Sequence, residues 1–150
     1  MEVLADGFVF VYGTLMRGFG NYEKYLSKYV LAAGEAFING ELYHLRDGYP
    51  AAGPGPGIVK GELMLVRDLE AVLPVLDDLE DYAGPGRANL YERVRVEAVT
   101  FSGQRVTAWT YLYGCPDELP LIGVPVKGGC WRTFLADGGW QANPEQLPGL

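Results

Sequence analysis

Residues 30–66 read VLAAGEAFINGELYHLRDGYPAAGPGPGIVKGELMLV, and how this stretch divides decides the fold. Its first part, VLAAGEAFINGELYHL (30–45), carries Asn39-Gly40 between two apolar-rich runs. Asn and Gly both tolerate the positive φ of a tight β-turn, so this pair predicts a hairpin. YPAAGPGPG (49–57) is crowded with residues lacking either an amide hydrogen or a Cβ, and it reads as an exposed loop. IVKGELMLV (58–66) is again a strand, with Gly61 marking a bulge or a close backbone contact.

On the N-terminal side lies GFVFVYGTLMRGFGN (7–21). Phe8 to Tyr12 form a short aromatic and β-branched run, a buried strand. Asn21 is placed to cap a short helix over Tyr22 to Lys28, with Tyr22, Tyr25, Leu26 and Tyr29 at helical spacing. On the C-terminal side RDLEAVLPVLDDLEDY (67–82) has helical periodicity, and AGPGRAN (83–89) is a loop. YERVRVEAVTF and QRVTAWTYLY are two strands around a turn at Ser102-Gly103, and CWRTFLA (130–136) is a short helix. Several strands and a few short helices give an α+β fold with a mostly antiparallel sheet that could close as a barrel. The chain is expected to form one domain over residues 1–150, its core about 8–135, followed by a Pro/Gly-rich C-terminal tail.

Of 150 residues, 49% are hydrophobic and 21% charged, a globular composition. The 21 glycines follow no collagen-like period, so they mark turns and bulges. A net charge of −7 with only 12 basic residues, none clustered, argues against nucleic acid and against anionic membrane surfaces as partners. The two cysteines, Cys115 and Cys130, are too few for a disulfide framework and read as plain thiols. The lone histidine, His44, argues against a His-built metal centre and reads as a structural residue, so neither metal nor cofactor is called for. MEVLADGFVF lacks the basic start and long apolar core of a secretion signal, and no run approaches the ~20 apolar residues of a membrane span. A cytoplasmic location is the expectation.

Projected on a helix, Leu69, Val72, Leu73, Leu76 and Leu79 share one arc, while Glu70, Asp77, Asp78 and Asp81 fall elsewhere, as solvated charges should. Glu80 lands inside the apolar arc, one turn beyond Leu76. A carboxylate on a buried face has its pKa raised and becomes a proton acceptor suited to neutral pH. The alternative is a frayed helix end, with Glu80 turned to water or paired with Arg87 or Arg93. The loop GTLMRGFG has the Gly-x-x-x-x-Gly spacing of a phosphate loop, but Phe19-Gly20 stand where Lys and Ser or Thr are needed, so a nucleotide site is rejected. What remains is a strand ending in Gly-Thr-Leu, whose amides could hold a carboxylate or a developing oxyanion.

VYGTLMRGFGN, GELM, VLDDLEDY, the Tyr91-Glu92-Arg93 strand and the late GGCWRTFL occur in an order that resembles the γ-glutamylcyclotransferase-like family, which includes AIG2-like proteins and γ-glutamylamine cyclotransferases. The similarity covers roughly residues 8–135. It implies a small mixed, mostly antiparallel β-barrel with a few flanking short helices. It also implies an enzyme that cyclises the γ-glutamyl group of a small γ-glutamyl amine or dipeptide, releasing 5-oxoproline and the free amine. By the same resemblance Glu80 is the general acid/base, Tyr12, Gly13, Thr14 and Leu15 surround the glutamyl end, and Tyr91 lies near the cavity. Asp81 departs from the pattern, since a Gly commonly follows the family's catalytic Glu. Two rival readings are a non-catalytic module that keeps the cavity for a small ligand, and another acyl-transfer or amide-cleaving reaction on the same fold.

Overall fold

Asn39-Gly40 does not turn the chain. In the computed structural model, which describes residues 6–138, a single strand β2 runs unbroken from Val30 to Leu45. Its partner β3 spans Pro50–Val66, so YPAAGPGPG is mostly strand rather than loop. The reversal lies at Arg46-Asp47-Gly48, where the Leu45 N–H donates to the Tyr49 carbonyl at 2.8 Å and the Gly48 N–H to the Leu45 carbonyl at 2.9 Å. Gly48 takes φ +95°, which is why an Asp-Gly pair works there. At Asn39-Gly40 the ladder shifts register instead: Asn39 faces Ile58 while Glu41 faces Gly53. Pro54 to Gly57 bulge out of β3 there, and the Glu41 carboxylate accepts the Gly57 N–H at 2.7 Å. The prolines fit because Pro50 opens the strand, where no ladder donor is needed, and Pro54 and Pro56 sit exposed on the bulge.

The remaining strands are β1 (Gly7–Val11), β4 (Tyr91–Thr100), β5 (Arg105–Tyr113) and the short β6 (Gly123–Pro125). Their order is β3-β1-β5-β4-β2-β6, and the β3–β2 pairing closes the first five strands into a barrel, leaving β6 against the outer part of β2. Among the named strands only β1 and β5 pair in parallel, meeting at Val9 and Trp109, and the other strand pairings are antiparallel; Lys60 of β3 also makes an isolated parallel bridge to Cys130. Thr100 to Gln104 make the β4–β5 turn around Ser102-Gly103, as the sequence indicates. Gly61 is the close contact rather than a bulge: it stays in register opposite Ala36, and a Cβ there would collide with the Val11 carbonyl oxygen as β1 crosses β3.

Helix α1 (Leu69–Leu79) buries Val72, Leu73 and Leu76 against the barrel and continues through Pro74. Removing each such side chain from water stabilises the fold by ~1.5–3 kcal/mol. The short helix expected over Tyr22 to Lys28 forms, as a wide π-type turn (Tyr22–Leu26) that runs into a 3₁₀ turn (Ser27–Tyr29). Asn21 does not act as the cap: its own backbone is helical, at φ −66° and ψ −32°, and its side-chain amide donates to Thr14 Oγ1 instead. Two short helices follow β5: α2 (Leu119–Ile122) and α3 (Trp131–Ala136), the latter within the helix read from CWRTFLA. No described helix is long and apolar enough to cross a membrane. The tail segment beyond residue 138 lies outside the described residues.

His44 is sealed in the interior, its Nδ1 accepting the Trp131 indole N–H at 2.9 Å and its ring packed on Phe134 at 5.1 Å. Burial lowers its pKa from 6.5 to about 4. That is the structural role the sequence suggests. Cys115 and Cys130 are free thiols.

Candidate active site

A cavity of about 630 Å³ opens where β1 ends, α1 ends and the β2–β3 turn folds over. Tyr12, Gly13, Thr14, Leu15, Glu80 and Tyr91 all line it. The six candidates picked from the sequence therefore share one wall system, although they come from three separate segments.

Glu80 is placed by the way α1 stops. The Tyr82 N–H donates to the Asp77 carbonyl at 2.8 Å and the Asp81 N–H to the Asp78 carbonyl at 3.3 Å, with Asp81 at φ +55°. This is the Schellman arrangement, in which a left-handed residue just past the helix lets the last carbonyls find donors. It makes Glu80 the capping residue, its own N–H held by the Leu76 carbonyl at 2.9 Å. The helix does not fray, and the partly buried Glu80 faces the cavity. Among the described residues its carboxyl group has neither hydrogen bond nor ion pair; desolvation first, then the neighbouring Asp81 charge, raise its pKa from 4.5 to about 7.

Of the two arginines considered as partners for Glu80, Arg93 is held by Asp77 instead. Arg93 Nη1 reaches both oxygens of Asp77, at 2.9 and 3.2 Å, and the Tyr111 hydroxyl donates to Asp77 Oδ1 at 2.7 Å. Asp77 is thus a part-buried ion-pair partner, not the solvated charge the helical projection predicts. The projection misses this because the barrel wall covers that flank of the helix. Burial and the hydrogen bond to Asp77 raise the Tyr111 pKa.

Elsewhere along the cavity the chain leaves β1 through Tyr12. Its hydroxyl donates to the Tyr111 carbonyl at 2.7 Å and accepts the Ala52 N–H at 3.3 Å. The Tyr91 hydroxyl donates to the Pro50 carbonyl at 2.9 Å. Both phenols are raised by burial, Tyr12 well above 10, and both serve as wall posts. Beyond them the Met16 N–H is taken by the Gly13 carbonyl at 3.0 Å and the Arg17 N–H by Glu62 Oε1 at 2.8 Å. Among the described residues no acceptor is found for the Thr14 and Leu15 amides. Thr14 Oγ1 accepts the Asn21 side-chain amide at 2.8 Å, so its own hydrogen is free to donate. Gly13 is required by packing: a Cβ there would lie 2.5 Å from Pro50 Cγ.

Sequence reasoning passes over Asp77, Tyr111, Asn21 and Glu62. Glu62 is the buried carboxylate of GELM, holding the Arg17 amide and ion-paired to Arg17 at 3.3 Å and Arg132 at 3.6 Å. A lone acid in an otherwise apolar strand is the signal that could have found it.

The family model described as gamma-glutamyl cyclotransferase, AIG2-like, matches residues 9–133. A protein of Niallia circulans named gamma-L-glutamyl-butirosin B gamma-glutamyl cyclotransferase is 38% identical over 112 residues, covering 74% of this chain and 69% of that one. An AIG2-like protein from Mus musculus has a TM-score of 0.58 at 28% identity, over 73% of this chain and 78% of its own. A solution structure from Arabidopsis thaliana has a TM-score of 0.65 at 26% identity, over 95% and 82%. The chain belongs to the gamma-glutamyl cyclotransferase, AIG2-like family and is a cyclotransferase-like enzyme.

Proposed function

We propose that the cavity binds the γ-glutamyl group of a small γ-glutamyl amine or dipeptide and that Glu80 carries its protons during cyclisation. The observation behind this reading is an unpaired carboxyl group, held near pKa 7, in the same cavity as the free Thr14 and Leu15 amides. Glu80 takes a proton from the substrate α-ammonium, and the freed amine attacks its own γ-carbonyl carbon. The C–N bond to the departing group then breaks as Glu80 returns a proton to that nitrogen. Over the whole reaction the attacking nitrogen gives up two protons and the leaving nitrogen gains two. The products are 5-oxoproline and an ammonium. No water is consumed and no protein nucleophile is needed.

The amides of Thr14 and Leu15 hold the substrate carboxylate or the oxyanion. Tyr12, Gly13 and Tyr91 shape the wall that folds the glutamyl chain back on itself, which lowers the barrier by proximity. The enzyme works in the cytoplasm on a small substrate, with neither nucleic acid nor a membrane as partner.

The test incubates purified protein with γ-glutamyl amines and dipeptides, γ-L-glutamyl-butirosin B among them because the Niallia circulans relative is named for it. 5-Oxoproline is followed by mass spectrometry. Glu80→Gln should reduce turnover at least a hundredfold with the fold intact. Full activity in that variant would sink the assignment of Glu80. Binding of γ-glutamyl compounds with no turnover of any of them would favour the non-catalytic module.

A further inference from the structure

We propose that Asp77 is a positioning residue: it clamps the helix end that carries Glu80 to the barrel wall and keeps the Arg93 guanidinium away from the Glu80 carboxyl group. This inference rests on the proposed proton-carrying role of Glu80.

The geometry is specific. Arg93 and Tyr111 are direct cross-strand partners in the β4–β5 ladder. The Asp77 carboxylate spans that pair, taking Arg93 Nη1 on both oxygens and the Tyr111 hydroxyl on one. The carbonyl of the same residue accepts the Tyr82 N–H that closes the turn around Glu80. One residue thus fixes the helix end twice, by side chain to the barrel and by backbone to the turn. The link continues along the cavity, because the Tyr111 carbonyl receives the Tyr12 hydroxyl at 2.7 Å, where the Gly13–Leu15 loop begins. A run of hydrogen bonds through Tyr111 therefore joins the helix end that carries Glu80 to the start of the loop that shares its cavity.

The second half of the clamp is electrostatic. Arg93 is part-buried, and its charge is balanced by Asp77 while its plane lies over Tyr82 and Trp109 at 5.3 and 5.0 Å. The groups that raise the Glu80 pKa are its buried surroundings and Asp81. Without the Asp77 charge, Arg93 is left uncompensated beside the helix end that carries Glu80, and a pairing between the two would lower the Glu80 pKa and leave it a weaker base.

The experiment measures two things on Asp77→Asn, Tyr111→Phe and Asp77→Asn/Arg93→Met: steady-state kinetics against pH, and the Glu80 titration midpoint by carbon-13 NMR of side-chain-labelled glutamate. Positioning predicts that Asp77→Asn and Tyr111→Phe each lower kcat at least tenfold with KM changed less than threefold. In Asp77→Asn the Glu80 midpoint falls from about 7 toward 4.5, and removing Arg93 as well brings it back up. Tyr111→Phe deletes one hydroxyl and carries the kinetic test if Asp77→Asn folds poorly. A drop in melting temperature with kcat and the Glu80 midpoint both unmoved would overturn the proposal and leave Asp77 as a fold tie. A moved midpoint together with a fully active Glu80→Gln would uphold the clamp and overturn the proton-carrying role.

Discussion

Asp81 occupies a backbone position that suits glycine. At φ +55° its Cβ crowds the backbone, a conformation Asp tolerates better than most side chains but glycine adopts freely. The Gly that the family resemblance leads one to expect after this Glu would have a conformational reason: the helix stops in a left-handed residue, and Glu80 turns into the cavity. The Asp side chain adds a charge that helps raise the Glu80 pKa. Replacing Asp81 by Gly should leave stability within ~1 kcal/mol, relief of backbone crowding being offset by a freer unfolded chain. On the proposed mechanism the free enzyme needs Glu80 deprotonated, so kcat/KM should rise as pH passes its pKa. Losing the neighbouring charge lowers that pKa, and the acidic limb of the kcat/KM profile should move below pH 7 yet stay above 4.5. Asp81→Asn, which keeps a side chain able to adopt this backbone, should move the limb the same way. An unmoved limb in both variants would show that Asp81 does not act on Glu80.

Among the elements, the long β2–β3 hairpin decides the shape of the site, because its turn and the Pro50 end of β3 form part of the cavity wall. Both Asn39-Gly40 and Asp47-Gly48 satisfy the same turn rule, and local chemistry cannot rank them. The ranking comes from the ladder, which pairs His44 with Pro50 and leaves only Asp47-Gly48 to reverse the chain. YPAAGPGPG misleads for a related reason: its prolines fall where the strand starts or bulges, which no local pattern reveals. Glu80 and the Gly13–Leu15 loop were legible because one breaks a helical apolar arc and the other ends a strong strand. Asp77 was not, since its partners Arg93 and Tyr111 lie on strands that only the tertiary fold brings to the helix. At this scale Gly61 is a demanding position, as is Gly129, where a Cβ would meet the Ile58 carbonyl oxygen. Gly61→Ala drives a methyl into the β1 backbone and should destabilise by ~2–3 kcal/mol, while Gly20→Ala, with nothing within 4 Å, should change stability by no more than ~0.5 kcal/mol. Urea unfolding of the two variants side by side checks the contrast.

For the whole molecule, two buried titratable groups pull stability in opposite directions over one pH range. His44 has a folded pKa of about 4, below its ordinary 6.5. Its contribution is therefore full above pH 6.5 and is lost as pH falls toward 4. Glu80 has a folded pKa of about 7, above its ordinary 4.5, so its contribution is full below pH 4.5 and is lost as pH rises toward 7. The displacements are similar in size, each worth on the order of 3 kcal/mol, and they largely cancel between pH 4.5 and 6.5. The wild-type contribution from this pair should be nearly flat there. Glu80→Gln should lose stability as pH is lowered from 6.5 to 4.5, and His44→Gln should gain it, as read by urea unfolding at three pH values. Parallel curves for the two variants would rule the compensation out.

The parallel seam between β1 and β5 also orders events in time. Val9 meets Trp109, and the Thr110 hydroxyl donates to the Phe10 carbonyl at 2.8 Å across a separation of 100 residues. Closing so long a loop is slow compared with forming the β2–β3 and β4–β5 hairpins, which need only neighbouring chain. During synthesis the first strand must wait, one edge unpaired, until β5 has left the ribosome. The segment after that strand supplies one wall of the cavity and the end of α1 another, so the two come together only when the seam forms. A growing chain, however much sheet it has built, has no binding cavity until the barrel shuts.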